Sequence, residues 1–148
     1  MVWLFGVVHI RQIFNRLLYC KKRLRIITFS KFDEHSSPLF KQLEIIKLPD
    51  LITFHIAVFM MKIHNQLLPP IFNTLFTPVN RVHSYNTRSA TNQSYYLPKV
   101  RTNYGLFNIR FQGSKVWNEI EENIKKSSSI NQSKQNLKKE ILSKYYFQ

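Results

Sequence analysis

Cysteine, glycine and acid are all scarce in this chain. Among 148 residues there is one cysteine, Cys20, and there are three glycines, Gly6, Gly105 and Gly113. A single thiol leaves no disulfide framework and excludes a zinc site built on paired cysteines. It fits a reducing compartment, so an intracellular location, nuclear or cytoplasmic, is expected. The three glycines are isolated, which excludes a glycine-rich phosphate loop. Acid is the scarcest charge: 8 Asp and Glu stand against 22 Lys and Arg, with no carboxylate between Asp50 and Glu119. Asp33 and Glu34 are sequence neighbours in a polar stretch, not a spaced pair, and a two-metal polymerase or nuclease centre cannot be assembled from these acids.

Candidates for other chemistry read as ordinary residues. His55 and His64 lie nine positions apart on one expected helix and so miss the i, i+4 face that a zinc helix uses. Cys20 sits beside Lys21 and Lys22, which can lower a thiol pKa, but it has no histidine near it in sequence. No catalytic residue, metal, cofactor or small-molecule substrate is expected. Long apolar runs are missing as well: "LITFHIAVFMMKI" is broken by His55 and Lys62, short of the roughly 20 residues a membrane-spanning helix needs. The opening "MVWLFGVV" has no basic n-region and no small-residue cleavage site, so no export route and no membrane partner is expected.

What the chain has is positive charge, a formal +14. Such a potential attracts polyanions, RNA or DNA first and an anionic membrane surface second.

The apolar pattern is mostly helical. In "HIRQIFNRLLYCKKRLRIITF" Ile10, Ile13, Phe14, Leu17, Leu18 and Leu24 follow helical spacing, with Arg11, Arg16, Lys21, Lys22, Arg23 and Arg25 on the polar side. "SPLFKQLEII" opens with Ser37 as a cap and Pro38 in the first turn. "LPDLITFHIAVFMMKIHNQLLPP" starts at Pro49, is apolar almost all round and stops at Pro69-Pro70, as a central buried helix does; "IFNTLF" adds a turn. "LFNIRF" alternates Phe107, Ile109 and Phe111 against Asn108 and Arg110, the two-residue period of a half-buried strand. "SKVWNEIEENIKK" places Val116, Trp117, Ile120 and Ile124 on one helix face, with Glu121 and Lys125 as an exposed i, i+4 pair. After "SSSINQS" a last helix carries Leu137, Ile141, Leu142 and Tyr145. The expected fold is mainly α: several amphipathic helices, one short β-strand or hairpin, and a long basic loop.

That loop, residues 77–104, is rich in Asn, Ser, Thr, Tyr and Arg, and irregular chain of this length in a compact domain usually binds something. Arg81, Arg88, Lys99, Arg101, Arg110 and Lys115 occur there and just beyond it without a compensating acid. They are interleaved with Tyr85, Tyr95, Tyr96 and Tyr104, a mixture in which cations pair with phosphates and rings stack on unpaired bases. The bland alternative is a solvated basic face with tyrosines packed beneath it.

The wording of this region adds to its composition. Asn86-Thr87-Arg88, then Pro98-Lys99-Val100-Arg101-Thr102, then Phe111 to Asn118 with Gly113, Trp117 and Asn118, resemble in combination the C-terminal tail of reverse transcriptases from non-LTR (LINE-like, jockey-type) retrotransposons. "KKRLRIITFSKFDEHSSPLFKQLEIIKLPDLITFHIAVFMMKIHNQLLPP" is similar to the helical region after the polymerase thumb in that family, and Met1 to Tyr19, with Val2-Trp3, to the helix before it. The resemblance implies a helical post-thumb region (1–76), a basic, Tyr-rich loop (77–104) and a strand plus C-terminal helices (105–148), all one domain or a fragment of one. It implies no catalytic role, because the family's adjacent Asp-Asp pair belongs to a palm that this sequence lacks. The function it implies is a sequence-independent RNA- or DNA-binding tail of an RNA-directed DNA polymerase, which holds template RNA, the RNA–DNA hybrid or the target DNA near the palm by phosphate contacts from Arg88, Lys99, Arg101 and Arg110. The alternatives are a structural appendage in which Trp117, Phe107 and Phe111 dock on the polymerase thumb, and a relic without a role.

Overall fold

The computed structural model describes residues 20–82, 85, 87–127 and 129–146. The chain divides into two compact units, one made of its two ends up to Leu48 and from Glu140 on, the other of Pro49–Lys139. The whole basic loop falls in the second unit.

In the first unit residues 20–28 are helical (α1), continuing the amphipathic pattern whose start, from Ile10, lies outside the described residues. Ser36–Gln42 forms α2, as its pattern predicts, but the residue at the N-cap is His35 and no side chain caps the helix. Ser37 is instead buried, and its hydroxyl accepts from Lys47 Nζ at 3.0 Å. A closing 3-10 turn, Lys144–Tyr146, packs on α2. Tyr145 holds the connection after α2 in two ways: its hydroxyl accepts from the Lys47 backbone N–H at 2.9 Å, and Lys47 Nζ stands 4.3 Å from its ring centre. Leu24, Leu39, Phe40, Ile141, Leu142 and Tyr145 are the buried apolar residues of this unit.

The second unit is organised on α3, Leu48–His64, which begins with Pro49 in the first turn. Its buried residues Ala57, Val58, Met60, Met61 and Ile63 all lie in the C-terminal half, while Ile52 is 55% exposed. The expectation of burial along the whole helix holds for that half alone. A 3-10 helix, Pro70–Leu75, starts at the second proline of the pair, with Pro69 at its N-cap. Short α4 (Val79–Val82) and α5 (Arg88–Thr91) pack together. After an extended stretch come α6 (Asn103–Leu106), α7 (Ile109–Glu119), α8 (Glu122–Lys125) and α9 (Ile130–Ser143), the last crossing from the second unit into the first.

The architecture is mainly α. Among the described residues there is no strand, and the sole β feature is an isolated antiparallel bridge between Pro78 and Tyr95. The strand expected over Phe107–Phe111 is a helix start. Asn108 caps α7, its side-chain oxygen accepting from the Arg110 N–H at 2.9 Å, and among the described residues no segment pairs with this one as a strand would need. The alternation of Phe107, Ile109 and Phe111 thus straddles a turn and a first helical turn. Helix α7 also ends sooner than its apolar stripe suggests, since Ile120 and Glu121 are extended before α8 begins. Val116, Trp117, Ile120 and Ile124 are all buried nonetheless. The break replaces the expected Glu121–Lys125 pair with a Glu122–Lys126 ion pair at 3.0 Å.

Rings join the elements of this unit edge to face. Phe72 meets Phe59 at 5.8 Å, Phe59 meets Phe76 at 6.4 Å, Phe76 meets Tyr95 at 5.9 Å and Tyr95 meets Trp117 at 6.0 Å between centroids. Gly113 makes the approach possible: a Cβ there would stand 2.7 Å from a Phe76 ring carbon and 2.9 Å from Met60 Sδ. Both neighbours are buried, so neither can yield cheaply.

Candidate nucleic-acid interface

The loop is fastened at its base. Around the Pro78–Tyr95 bridge, Tyr96 N–H donates to Thr77 O at 2.8 Å and Val79 N–H to Ser94 O at 3.0 Å. Helix α7 then grips the returning arm with two consecutive side chains. Asn118 accepts from Tyr95 N–H at 3.0 Å and donates to Tyr95 O at 2.9 Å, while the Trp117 indole N–H donates to Gln93 O at 3.0 Å. Irregular backbone near a core must find such partners, because an unpaired buried amide costs about as much as a lost hydrogen bond. The Gly113, Trp117 and Asn118 spacing therefore has a local physical meaning: one residue lets α7 approach Phe76, and the other two hold the loop to it.

This clasp sorts the tyrosines. Tyr95 is 7% exposed and belongs to the aromatic core, where burial raises its hydroxyl pKa above the ordinary value. It offers no free face for stacking. Tyr96 is 42%, Tyr85 80% and Tyr104 84% exposed.

All six singled-out cations, Arg81, Arg88, Lys99, Arg101, Arg110 and Lys115, are exposed, and among the described residues none pairs with a carboxylate. Arg81 and Arg88 belong to the packed pair α4 and α5. Lys99 and Arg101 lie on the extended stretch leading into α6, with Arg110 and Lys115 on α7, against which α6 packs. Thr102 caps α6 by accepting from Gly105 N–H at 3.2 Å, and a Cβ on Gly105 would meet Val100 at 2.8 Å. The Pro98 to Thr102 stretch is thus held by Val100 and Thr102, which leaves Lys99 and Arg101 to solvent.

One group escaped the sequence reading. His64 stacks on Trp117 with ring centres 4.8 Å apart, and Lys125 Nζ stands 5.4 Å from the same indole. Burial lowers the His64 pKa first; a hydrogen bond to the Gln93 side chain opposes this, and the charge of Lys125 adds to the lowering. The Lys125 ammonium is itself lowered, by burial before the partly compensating Glu122. Nothing in the spacing of His64 announces this, because its partner is 53 residues away in sequence.

Among the described residues no group of three or more His, Cys, Asp or Glu could hold a metal ion, and no helix is long and apolar enough to cross a membrane. No family model, curated protein or solved structure matches this chain.

Proposed function

We propose that this chain is a nucleic-acid-binding tail of a non-LTR retrotransposon reverse transcriptase, without the catalytic palm and without polymerase activity of its own. The observation that carries the reading is the set of exposed cations without a carboxylate partner, Arg88, Lys99 and Arg101 on the loop that α7 holds at residues 93 and 95, and Arg110 on α7 itself. Cations with no carboxylate to neutralise them bind phosphates with release of counterions, whatever the base sequence. The motif resemblance supplies the rest: it supports a place beside the template RNA, the RNA–DNA hybrid or the target DNA.

The test is a salt titration of the whole chain with labelled RNA and DNA of unrelated sequences. Log affinity should fall linearly with log salt, and changing Arg88, Lys99, Arg101 and Arg110 to Ala should lower that slope by roughly 3. Binding indifferent to the four substitutions would sink the reading.

Exposed Phe107 favours a second reading, the docking appendage, in which apolar side chains seat on the polymerase thumb. Trp117 takes no part in it, being 1% exposed within its own unit.

A further inference from the structure

Phe107 is 81% exposed at the turn between α6 and α7, in a unit whose other phenylalanines, Phe54, Phe59, Phe72, Phe76 and Phe111, are all buried or half-buried. Beside it opens a cleft of about 550 Å³, within the size range of small-molecule sites, with Leu97, Leu106, Phe107 and Phe111 as its apolar lining. Two amides on its wall are already committed to the backbone: Gln112 Nε2 donates to Leu106 O at 2.7 Å, and Asn118 clasps Tyr95. They rigidify the cleft. Lys115 lines it, Arg110 adjoins Phe111 in sequence, and Lys99 is two positions beyond Leu97. Glu119, the lone acid among the lining residues, is an acceptor of the kind that takes a base amino group.

An apolar slot flanked by cations suits a ligand that alternates flat apolar faces with anions. A docking helix brings the first without the second, and a duplex brings phosphates while keeping its base faces stacked. We propose that this cleft takes an unpaired base of a single strand, stacked on Phe107, while the neighbouring phosphates pair with Lys99, Arg110 and Lys115. The proposal rests on the nucleic-acid reading above and adds to it a site and a strand state.

The test compares, by fluorescence anisotropy at low salt, a single strand of about twelve nucleotides, within the span such grooves cover, with a fully abasic strand of equal length and with the corresponding duplex. The protein should prefer the base-bearing strand over the abasic one by roughly 5- to 100-fold. Phe107→Ala should bring the two close to parity without altering affinity for the abasic strand, and Phe107→Tyr should keep the preference; exposure of this ring makes both variants safe for folding. Parity in the unaltered protein, or a duplex bound as tightly as the single strand, overturns the cleft proposal while the phosphate reading stands. Failure to bind any of the three overturns both.

Discussion

Asn118 does for Tyr95 what an adjacent strand would do, taking one N–H and one C=O in a paired geometry. Asn118→Ala removes the partner of both backbone groups, and because Asn118 is itself exposed, solvent can take the place of its amide, so a loss of about 1–2 kcal/mol is expected instead of the full cost of two buried orphans. The more telling readout is local: proteolytic cleavage between Val79 and Ser94 should accelerate by more than the global destabilisation accounts for. At Gly113 two effects oppose. Alanine gains about 1 kcal/mol of helix propensity, but its methyl meets Phe76 and Met60 inside van der Waals contact, and overpacking costs about 1–3 kcal/mol. Gly113→Ala should destabilise in urea melts, and an unchanged midpoint would mean that the ring yields.

His64 gives stability a pH dependence of definite sign. Its pKa in the folded chain is lowered from 6.5, so its contribution is full above that value and is lost as the pH falls through the lowered one. Melts of the parent chain and of His64→Phe should diverge below pH 6.5, the parent losing stability more steeply. Parallel curves would mean that His64 titrates as in the unfolded chain.

At the level of elements, the shortage of glycine has a visible cost. Phe29, Glu44, Gln66 and Gln93 all have φ between 50° and 55°, the left-handed region, and no glycine in the chain shares it among the described residues. The first three end α1, α2 and α3 in the same way. The N–H of the next residue reaches back to Arg25, Phe40 or Lys62, and the left-handed residue's own N–H to Ile26, Lys41 or Ile63. This is the Schellman termination that glycine usually makes. Gln66→Gly should relieve about 1–2 kcal/mol of backbone strain, against about 0.5–1 kcal/mol of added unfolded-chain entropy. A net gain of about 0.5–1 kcal/mol is expected, measurable as a higher denaturation midpoint.

These endings also explain which elements the sequence disclosed. Pro49 marked the start of α3, because proline's missing N–H acts locally wherever it stands, but Pro69-Pro70 placed its end too late: the helix stops at His64, closed by the left-handed Gln66. Phe107–Phe111 misled, since a two-residue period of apolar side chains at a capped helix start looks the same as one on a strand, and a single chain segment does not reveal whether a ladder partner exists. Basic character around the loop was legible for the same reason that proline was: charge needs no partner to be recognised. The burial of Tyr95 was not, because it follows from Phe76 and Trp117, one on each side in sequence and both brought to it only by the fold.

For the molecule as a whole, a formal charge of +14 means that the same cations serve binding and strain the folded state. Replacing Arg88, Lys99, Arg101 and Arg110 by Ala relieves self-repulsion that no carboxylate offsets at these four positions among the described residues. The four-fold variant should therefore melt at a higher temperature than the parent in low salt while binding nucleic acid more weakly, and the thermal gain should shrink as salt screens the repulsion. A variant that loses both stability and binding would indicate that these side chains support the fold.

The bridge at Pro78 and Tyr95 makes the intervening chain a cargo bay with a closed door. Its floor, the hold of α7 on residues 93 and 95, does not depend on how much chain is carried between Val79 and Ser94, and loop entropy grows only as the logarithm of length. A reporter peptide or a foreign recognition sequence spliced into that interval should ride on an otherwise unaltered scaffold.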